Sequence, residues 1–233
     1  MRKLVLVLAG LIAITAIKSQ SLEEIVKKYS DANKQDKIAA MSTVKITGKM
    51  SMMGMEMPME IWMKNPDKIK TVTNINGQEM ISAIDGVKGY QINPMAGSSE
   101  PVEMTADQIK QTQTSNVFQN YMATYLKNGQ LSLIGEENVN DKPAFKIKAS
   151  LDGGNTVNMF IDKESYLLVK TSAAINQGGT IINADSYMTD YADNNGVLLP
   201  MKTTTSASGM EFTITFDKVE INIPMDDNVF KIK

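Results

Sequence analysis

Seven of the fourteen residues from Met50 to Met63, MSMMGMEMPMEIWM, are methionine. A thioether supports two kinds of chemistry. It is a soft ligand that selects Cu(I), and it is a flexible, polarizable apolar group that adapts to partners of varied shape. A third reading is a core strand that happens to be rich in methionine. Spacing bears on the choice. Met55, Met57, Met59, Ile61 and Met63 take the odd positions, and Glu56, Pro58, Glu60, Trp62 and Lys64 the even ones. A period of two puts the first set on one face of a strand. Methionine is a poor strand former, so propensity is not what selects it here. Same-face sulfurs along one strand lie roughly 7 Å apart, too far to share an ion unless a neighbouring strand adds a ligand. Met50 and Met52, across a turn at Gly54, are positioned to add one.

Other chemistry is bounded by what the chain lacks. It has no histidine and no cysteine. That removes the usual general base, the usual zinc ligands and every histidine-assisted nucleophile. Aspartate and glutamate fall mostly at turns or on outward strand positions, and Ser, Lys and Tyr form no constellation. We therefore expect no catalytic residues, no enzymatic activity and no cofactor. The formal charge is −2, the lysines are scattered, and Arg2 is the only arginine. Nucleic-acid binding has no electrostatic footprint in this pattern.

The elements that carry the methionines begin after a leader. Met1-Arg2-Lys3, an apolar run from Leu4 to Ile17 and a polar exit at Lys18-Ser19-Gln20 read as a cleaved secretory signal over residues 1–19. The run is short for a membrane-spanning helix. Losing Arg2, Lys3 and Lys18 takes the formal charge to −5. Residues 20–233 are expected to form one domain, large enough to bury a core without disulfides. With no cysteine to carry a lipid, the reading is a soluble, monomeric protein of the periplasm.

Ser21 with Glu24 has capping-box spacing, and Leu22, Ile25, Val26 and Tyr29 form one apolar stripe. A helix is expected over 21–41, interrupted near Lys34 to Asp36. The period then changes to two. Strands are expected from Val44 to Met52, through the methionine segment, and on either side of Asn76-Gly77, a strong hairpin signal. Asp85-Gly86 leads into another strand, ended by Asn93-Pro94, and 95–104 reads as loop. A second helical region is expected from Thr105 to Lys127, broken between Gln111 and Asn116. Strands fill the rest, with a bulge near Lys218 and a tail from Asn222. This predicts a mainly β fold with about eleven strands: a curved, incompletely closed antiparallel barrel covered by a helical lid.

Several segments, in order, resemble the carriers of outer-membrane lipoproteins, the LolA/LolB-like family. Ile61-Trp62-Met63-Lys64-Asn65-Pro66-Asp67-Lys68 is similar to that family's tryptophan-x-lysine-x-proline turn. Asp85-Gly86-Val87-Lys88-Gly89-Tyr90-Gln91-Ile92-Asn93-Pro94 resembles its aspartate-glycine, aromatic and asparagine-proline segment. Phe160 to Leu167, Gly196 to Pro200 and Ile221 to Phe230 continue the likeness over nearly the whole chain after the leader. The resemblance implies a half-barrel whose apolar face, under helices, takes up acyl chains of lipoproteins or a related lipid. It implies an inner-membrane release complex and an outer-membrane acceptor as partners, with this cysteine-free chain as the soluble carrier. The family's well-studied carriers place an arginine that contacts the lid where this chain has Asn65.

Each buried methylene of an acyl chain contributes about 0.8 kcal/mol, so a shielded apolar wall suffices for binding. The expected wall is Met50, Met55, Met57, Met59, Ile61 and Met63, with Met80, Phe145, Ile147, Val157, Met159, Ile161, Phe212, Ile214 and Phe216. For the later residues the alternative is ordinary packing beneath the helices. The rival function is a methionine-rich Cu(I)-binding protein.

Overall fold

Ser21 opens the first helix as its spacing predicts. Its hydroxyl accepts from the Glu24 amide, and the Glu24 carboxylate accepts from the Ser21 amide, both at 3.2 Å. The helix, α1 (Leu22–Ala32), ends at Asn33, and α2 (Gln35–Ala39) follows a left-handed Lys34 with φ 54°. The computed structural model describes residues 20–113, 116–177 and 179–232, so the expected signal segment lies outside the described residues.

After α2 come β1 (Thr43–Met52), β2 (Met55–Lys64), β3 (Lys68–Ile75), β4 (Gln78–Asp85), β5 (Lys88–Asn93) and β6 (Ser98–Glu103). Two short helices follow, α3 (Ala106–Gln113) and α4 (Tyr121–Lys127). The chain returns to strand for β7 (Leu131–Val139), β8 (Lys142–Ser150), β9 (Thr156–Asp162) and β10 (Leu168–Gln177). It closes with β11 (Thr180–Asn194), β12 (Val197–Ala207) and β13 (Met210–Ile221). Tight turns drive this succession. At Asn76-Gly77 both residues take positive φ, 52° and 86°, the geometry that matches the twist of the paired strands.

All thirteen strands form one antiparallel sheet in the order β6-β5-β4-β3-β2-β1-β13-β12-β11-β10-β9-β8-β7. The first and last strands pair in the middle, so the sheet's free edges are β6 and β7. The segment carrying α3 and α4 runs from one free edge to the other. The sheet is therefore curved and open, not closed into a barrel, with helices over one face. The expected bulge is present: Gly48 faces Phe216 and Thr47 faces Lys218, leaving Asp217 as the extra residue.

Two expectations need correction. The described residues form thirteen strands, not about eleven. Residues 98–103, read as loop, form edge strand β6; its Pro101 breaks the usual signal and is tolerated because an edge strand has an unpaired side. The tail from Asn222 includes a 3-10 turn over Asp227–Phe230 that buries Phe230.

The core lies between helices and sheet. Ile25 and Val26 of α1 and Met122 of α4 pack on Phe145, Ile147, Ala149, Met159 and Ile161. Ile38 and Met41, in and just after α2, join Phe118, Val44, Ile46, Met63 and Ile69. Ile109 of α3 meets Met104 and Ile84. Gly89 permits that last approach, because a Cβ there would stand 2.9 Å from the Met104 sulfur and 3.0 Å from Ile109.

Candidate functional site

The strand register turns the methionine pattern into a surface. Cross-strand neighbours on the helix-covered face form rows that run across β13, β1 and β2. The first row is Ile221, Val44 and Met63; the second is Val219, Ile46 and Ile61. The third is Phe216, Gly48 and Met59; the fourth is Ile214, Met50 and Met57; the fifth is Phe212, Met52 and Met55. Rows one and two lie in the cluster beneath α2. Rows three to five continue toward the hairpin tip at Met53-Gly54, and none of their methionines belongs to a helix-packed cluster. Directly opposed residues of an antiparallel pair have Cβ atoms about 5 Å apart, so each row is one unit of contact.

The expected wall residues divide into two groups. Met50, Met55, Met57, Met59, Phe212, Ile214 and Phe216 come together in the outer rows, and Met80 reaches them through Thr73, which pairs with both Met59 and Met80. Within this group Met57 and Met59 are buried, Met50 and the β13 residues are half-buried, and Met55 is 44% exposed. The second group, Phe145, Ile147, Val157, Met159 and Ile161, packs under α1 and α4, with Ile147 and Ile161 both 0% exposed. Ile61 and Met63 sit between the two, packed with the α2 cluster.

Asn65 sits at the β2–β3 turn, where the sheet meets two helical pieces. Its amide nitrogen donates to the Met41 carbonyl at 2.9 Å and, more weakly, to that of Ala39 at 3.4 Å. The next residue is also held. The side chain of Asn116, between α3 and α4, donates to the Pro66 carbonyl at 2.8 Å and accepts from the Phe118 amide at 2.9 Å. Gln113 adds a bond to the Gly86 carbonyl at 3.1 Å. On the other side of the turn, Lys64 reaches Asp227 at 2.6 Å and the Met225 carbonyl at 3.1 Å, and Lys68 bridges Asp227 and Asp85 at 3.1 and 3.2 Å. Bonds from Lys64 and then Lys68 hold the Asp227 carboxyl below its ordinary range, and Asp227 in turn raises Lys68. Sequence reasoning singled out Asn65 and missed Asn116, which lies in a stretch legible only as too polar for helix.

Two recesses open near this region. One, of about 290 Å³, lies between β3–β5 and α3, lined by Thr71, Thr73, Met80, Ser82, Gln91 and Met104 among others. The other, of about 490 Å³, is lined mainly by side chains of the opposite face, including Pro58, Glu60, Trp62, Lys70 and Val72. There Lys45 and Lys70 flank the Trp62 ring at 5.3 and 5.9 Å. The larger recess is charged and belongs to the outer surface; the smaller one is continuous with the methionine rows through Met80 and Thr73. Among the described residues no cluster of Asp and Glu is arranged to hold a metal ion. No helix of the described residues is long and apolar enough to cross a membrane.

The sequence matches no family model and no curated protein. Solved structures resemble it over most of its length. A DUF1329 family protein from Desulfovibrio piger aligns over 89% of this chain and 97% of its own, with TM-score 0.60 and 11% identity. A domain described as an outer membrane lipoprotein-sorting protein, from Vibrio parahaemolyticus, covers 90% and 97% with TM-score 0.60 and 10% identity. A LolA superfamily protein from Nitrosomonas europaea covers 92% and 99% with TM-score 0.60 and 12% identity. At such identities the likeness is one of architecture: the chain has the LolA-like fold.

Proposed function

We propose that this protein is an exported periplasmic carrier that takes acyl chains, of lipoproteins or a related lipid, onto its methionine face and moves them toward the outer membrane. The observation that carries this reading is the set of outer rows. Met50, Met52, Met55, Met57, Met59, Phe212, Ile214 and Phe216 form one apolar surface in register, and it extends beyond the helix-packed core. Ordinary core packing accounts for the first two rows, which the helices cover. Phe216 also packs against the cluster beneath α2, but the methionines of rows three to five belong to no helix-packed cluster, and they run from buried Met57 and Met59 to Met55 at 44% exposure near the hairpin tip. Methionine suits reversible binding, because many adaptable contacts hold a chain without fixing one shape.

In this reading α2 and the α3–α4 segment form the lid, and Asn65 and Asn116 fasten it at the β2–β3 turn. The carrier works as a monomer. It receives cargo from an inner-membrane release complex and passes it to an outer-membrane acceptor. No catalytic step is required.

The test is a double variant, Met57→Glu with Met59→Glu, titrated with a fluorescent fatty-acyl probe. Two charges on the buried side of β2 should abolish binding of the probe. Retained affinity in a folded double variant would rule out this face as the binding wall.

A second reading, Cu(I) binding, is favoured by one observation: Met50 faces Met57 and Met52 faces Met55. These cross-strand pairs bring thioethers closer than spacing along one strand does. The neighbouring column of Phe212, Ile214 and Phe216 offers no ligand, and for that reason we rank it second. Native mass spectrometry of protein isolated from its own envelope separates the two, by co-purified acyl species or by stoichiometric copper.

A further inference from the structure

The rows of the helix-covered face change character at β3. The second row is apolar on β13, β1 and β2, with Val219, Ile46 and Ile61. It then continues as Thr71 on β3, Ser82 on β4 and Gln91 on β5. In the third row, Met59 is followed by Thr73 and Met80. Hydroxyls and an amide thus stand at inward positions, where one face of an antiparallel sheet ordinarily carries apolar residues. They line the recess of about 290 Å³ beneath α3.

The Ser82 hydroxyl donates to the Met104 sulfur at 3.8 Å, and the other groups are poised for something outside the chain. Thr73 is only 2% exposed, and among the described residues its hydroxyl has no hydrogen-bond partner, nor do the side chains of Thr71 and Gln91. Since no sealed-in side-chain polar atom among the described residues lacks a partner, the Thr73 hydroxyl keeps some exposure, and Thr73 lines the recess. Some hydroxyls elsewhere on the sheet are paired internally, Ser186 with Thr205 at 2.9 Å and Thr204 with Thr213 at 3.0 Å. The recess is also uncharged, with no Asp, Glu, Lys or Arg in its lining.

We propose that this recess receives the uncharged polar head of the cargo, an ester- or amide-linked acyl group of the acylglycerol type, while the acyl chains lie across β2, β1 and β13. The proposal rests on the carrier reading and adds a selectivity to it. Ligand pockets usually measure about 300–1,000 Å³, so this volume suits a headgroup and not a whole lipid. Threonine hydroxyls donate to ester or amide carbonyls, and the Gln91 amide both donates and accepts. A phosphate head would meet no lysine or arginine among the lining residues, so the recess offers an anion no charged partner. The same neutral chemistry occurs in a free acylglycerol and at an acylated polypeptide terminus.

Competition against a fluorescent fatty-acyl probe tests this, using dioleoylglycerol, an end-blocked diacylglyceryl-cysteine peptide and dioleoyl phosphatidate. At least one neutral competitor should displace the probe with tenfold or better preference over phosphatidate, and which one does so identifies the source. The volume-conserving double variant Thr71→Val with Thr73→Val should weaken the neutral competitor by about fivefold while sparing the simple fatty-acyl probe, as expected for losing one or two neutral hydrogen bonds. Gln91→Lys should raise phosphatidate binding. Equal displacement by neutral and anionic lipids overturns the headgroup proposal and leaves the carrier reading standing. Failure of the protein to bind the acyl probe at all overturns both.

Discussion

The two halves of the helix-covered face are built from similar apolar residues and packed in different ways. On β8 and β9, Phe145, Ile147, Met159 and Ile161 are sealed under α1 and α4, with aromatic and β-branched side chains filling the space. On β1, β2 and β13 the outer rows carry methionine and phenylalanine, and several are half-buried or exposed. Apolar character alone therefore does not distinguish a core from a binding wall. Close packing beneath helices makes a core even where methionines such as Met122 and Met159 take part, whereas a run of flexible thioethers outside the helix-packed clusters makes a surface that can accept different shapes.

The largest expected difference between the halves is in stability. Ile161→Ala, at a site with no exposed surface, should cost about 2–5 kcal/mol in denaturant unfolding, since the packed helices limit collapse of the cavity. It should leave affinity for an acyl probe unchanged in the protein that remains folded. A loss of affinity with little loss of stability would reverse the assignment of the two regions.

Next in size is the fastening between them. Asn116 is 5% exposed, and its side chain both donates to Pro66 and accepts from Phe118. Truncation leaves two backbone groups without those partners, so Asn116→Ala should cost about 1–3 kcal/mol. It should also raise amide hydrogen exchange in α3 and α4 more than in α1. Asn65→Ala loses one good bond and one long one to the end of α2, and a smaller effect confined to α2 is expected there. Uniform exchange across all four helices in either variant would mean that the lid is not fastened at this turn.

These two asparagines also mark how far the sequence could be read. The capping box at Ser21, the turn at Asn76-Gly77, the bulge beside Lys218 and the period of two through Met63 are local signals, and each forms as its pattern predicts. Strand β6 was not legible, because Pro101 and two glutamates conceal a strand that only an edge position tolerates. Asn116 was not legible either, since its partner Pro66 lies 50 residues away. Alternation tells which residues share a face but not which helix covers them. The division of the wall into a sealed half and an open half, like the polar recess at Thr71 and Thr73, depends on register and helix placement.

Acid should act on the sealed half through one turn. Asp162, the last residue of β9 at the turn into β10, is pushed up by burial. Bonds to its Oδ1 from the Ser165 amide and hydroxyl, both 2.7 Å, and from the Glu164 amide at 3.2 Å outweigh that, leaving it below its ordinary 3.8. The unfolded chain then binds the proton first as pH falls. The stability this carboxylate adds is fully present above about pH 4 and is lost as pH drops through the lower folded value. Asp162→Asn should flatten the pH dependence of unfolding below pH 4. An unchanged acid limb would show that other carboxylates govern it.

The smallest stability effect, and the sharpest contrast, belongs to Met55. It faces Met52 in the fifth row, at the end of the wall farthest from the α2 cluster, and is 44% exposed. A side chain so placed contributes little to folding, and Met55→Ala should change stability by no more than about 0.5 kcal/mol. Binding should respond differently. Truncation removes three side-chain heavy atoms from the wall, and at about 25 cal/mol per Å² of apolar area, tens of Å² lost from contact with an acyl chain amount to several-fold in affinity. Methionine to leucine at the same site keeps apolar volume and should retain most of that affinity. The pattern to look for is a probe affinity that falls with alanine and holds with leucine while the unfolding midpoint stays put. Ile161→Ala should do the reverse, and two variants that moved stability and binding together would erase the distinction between core and wall.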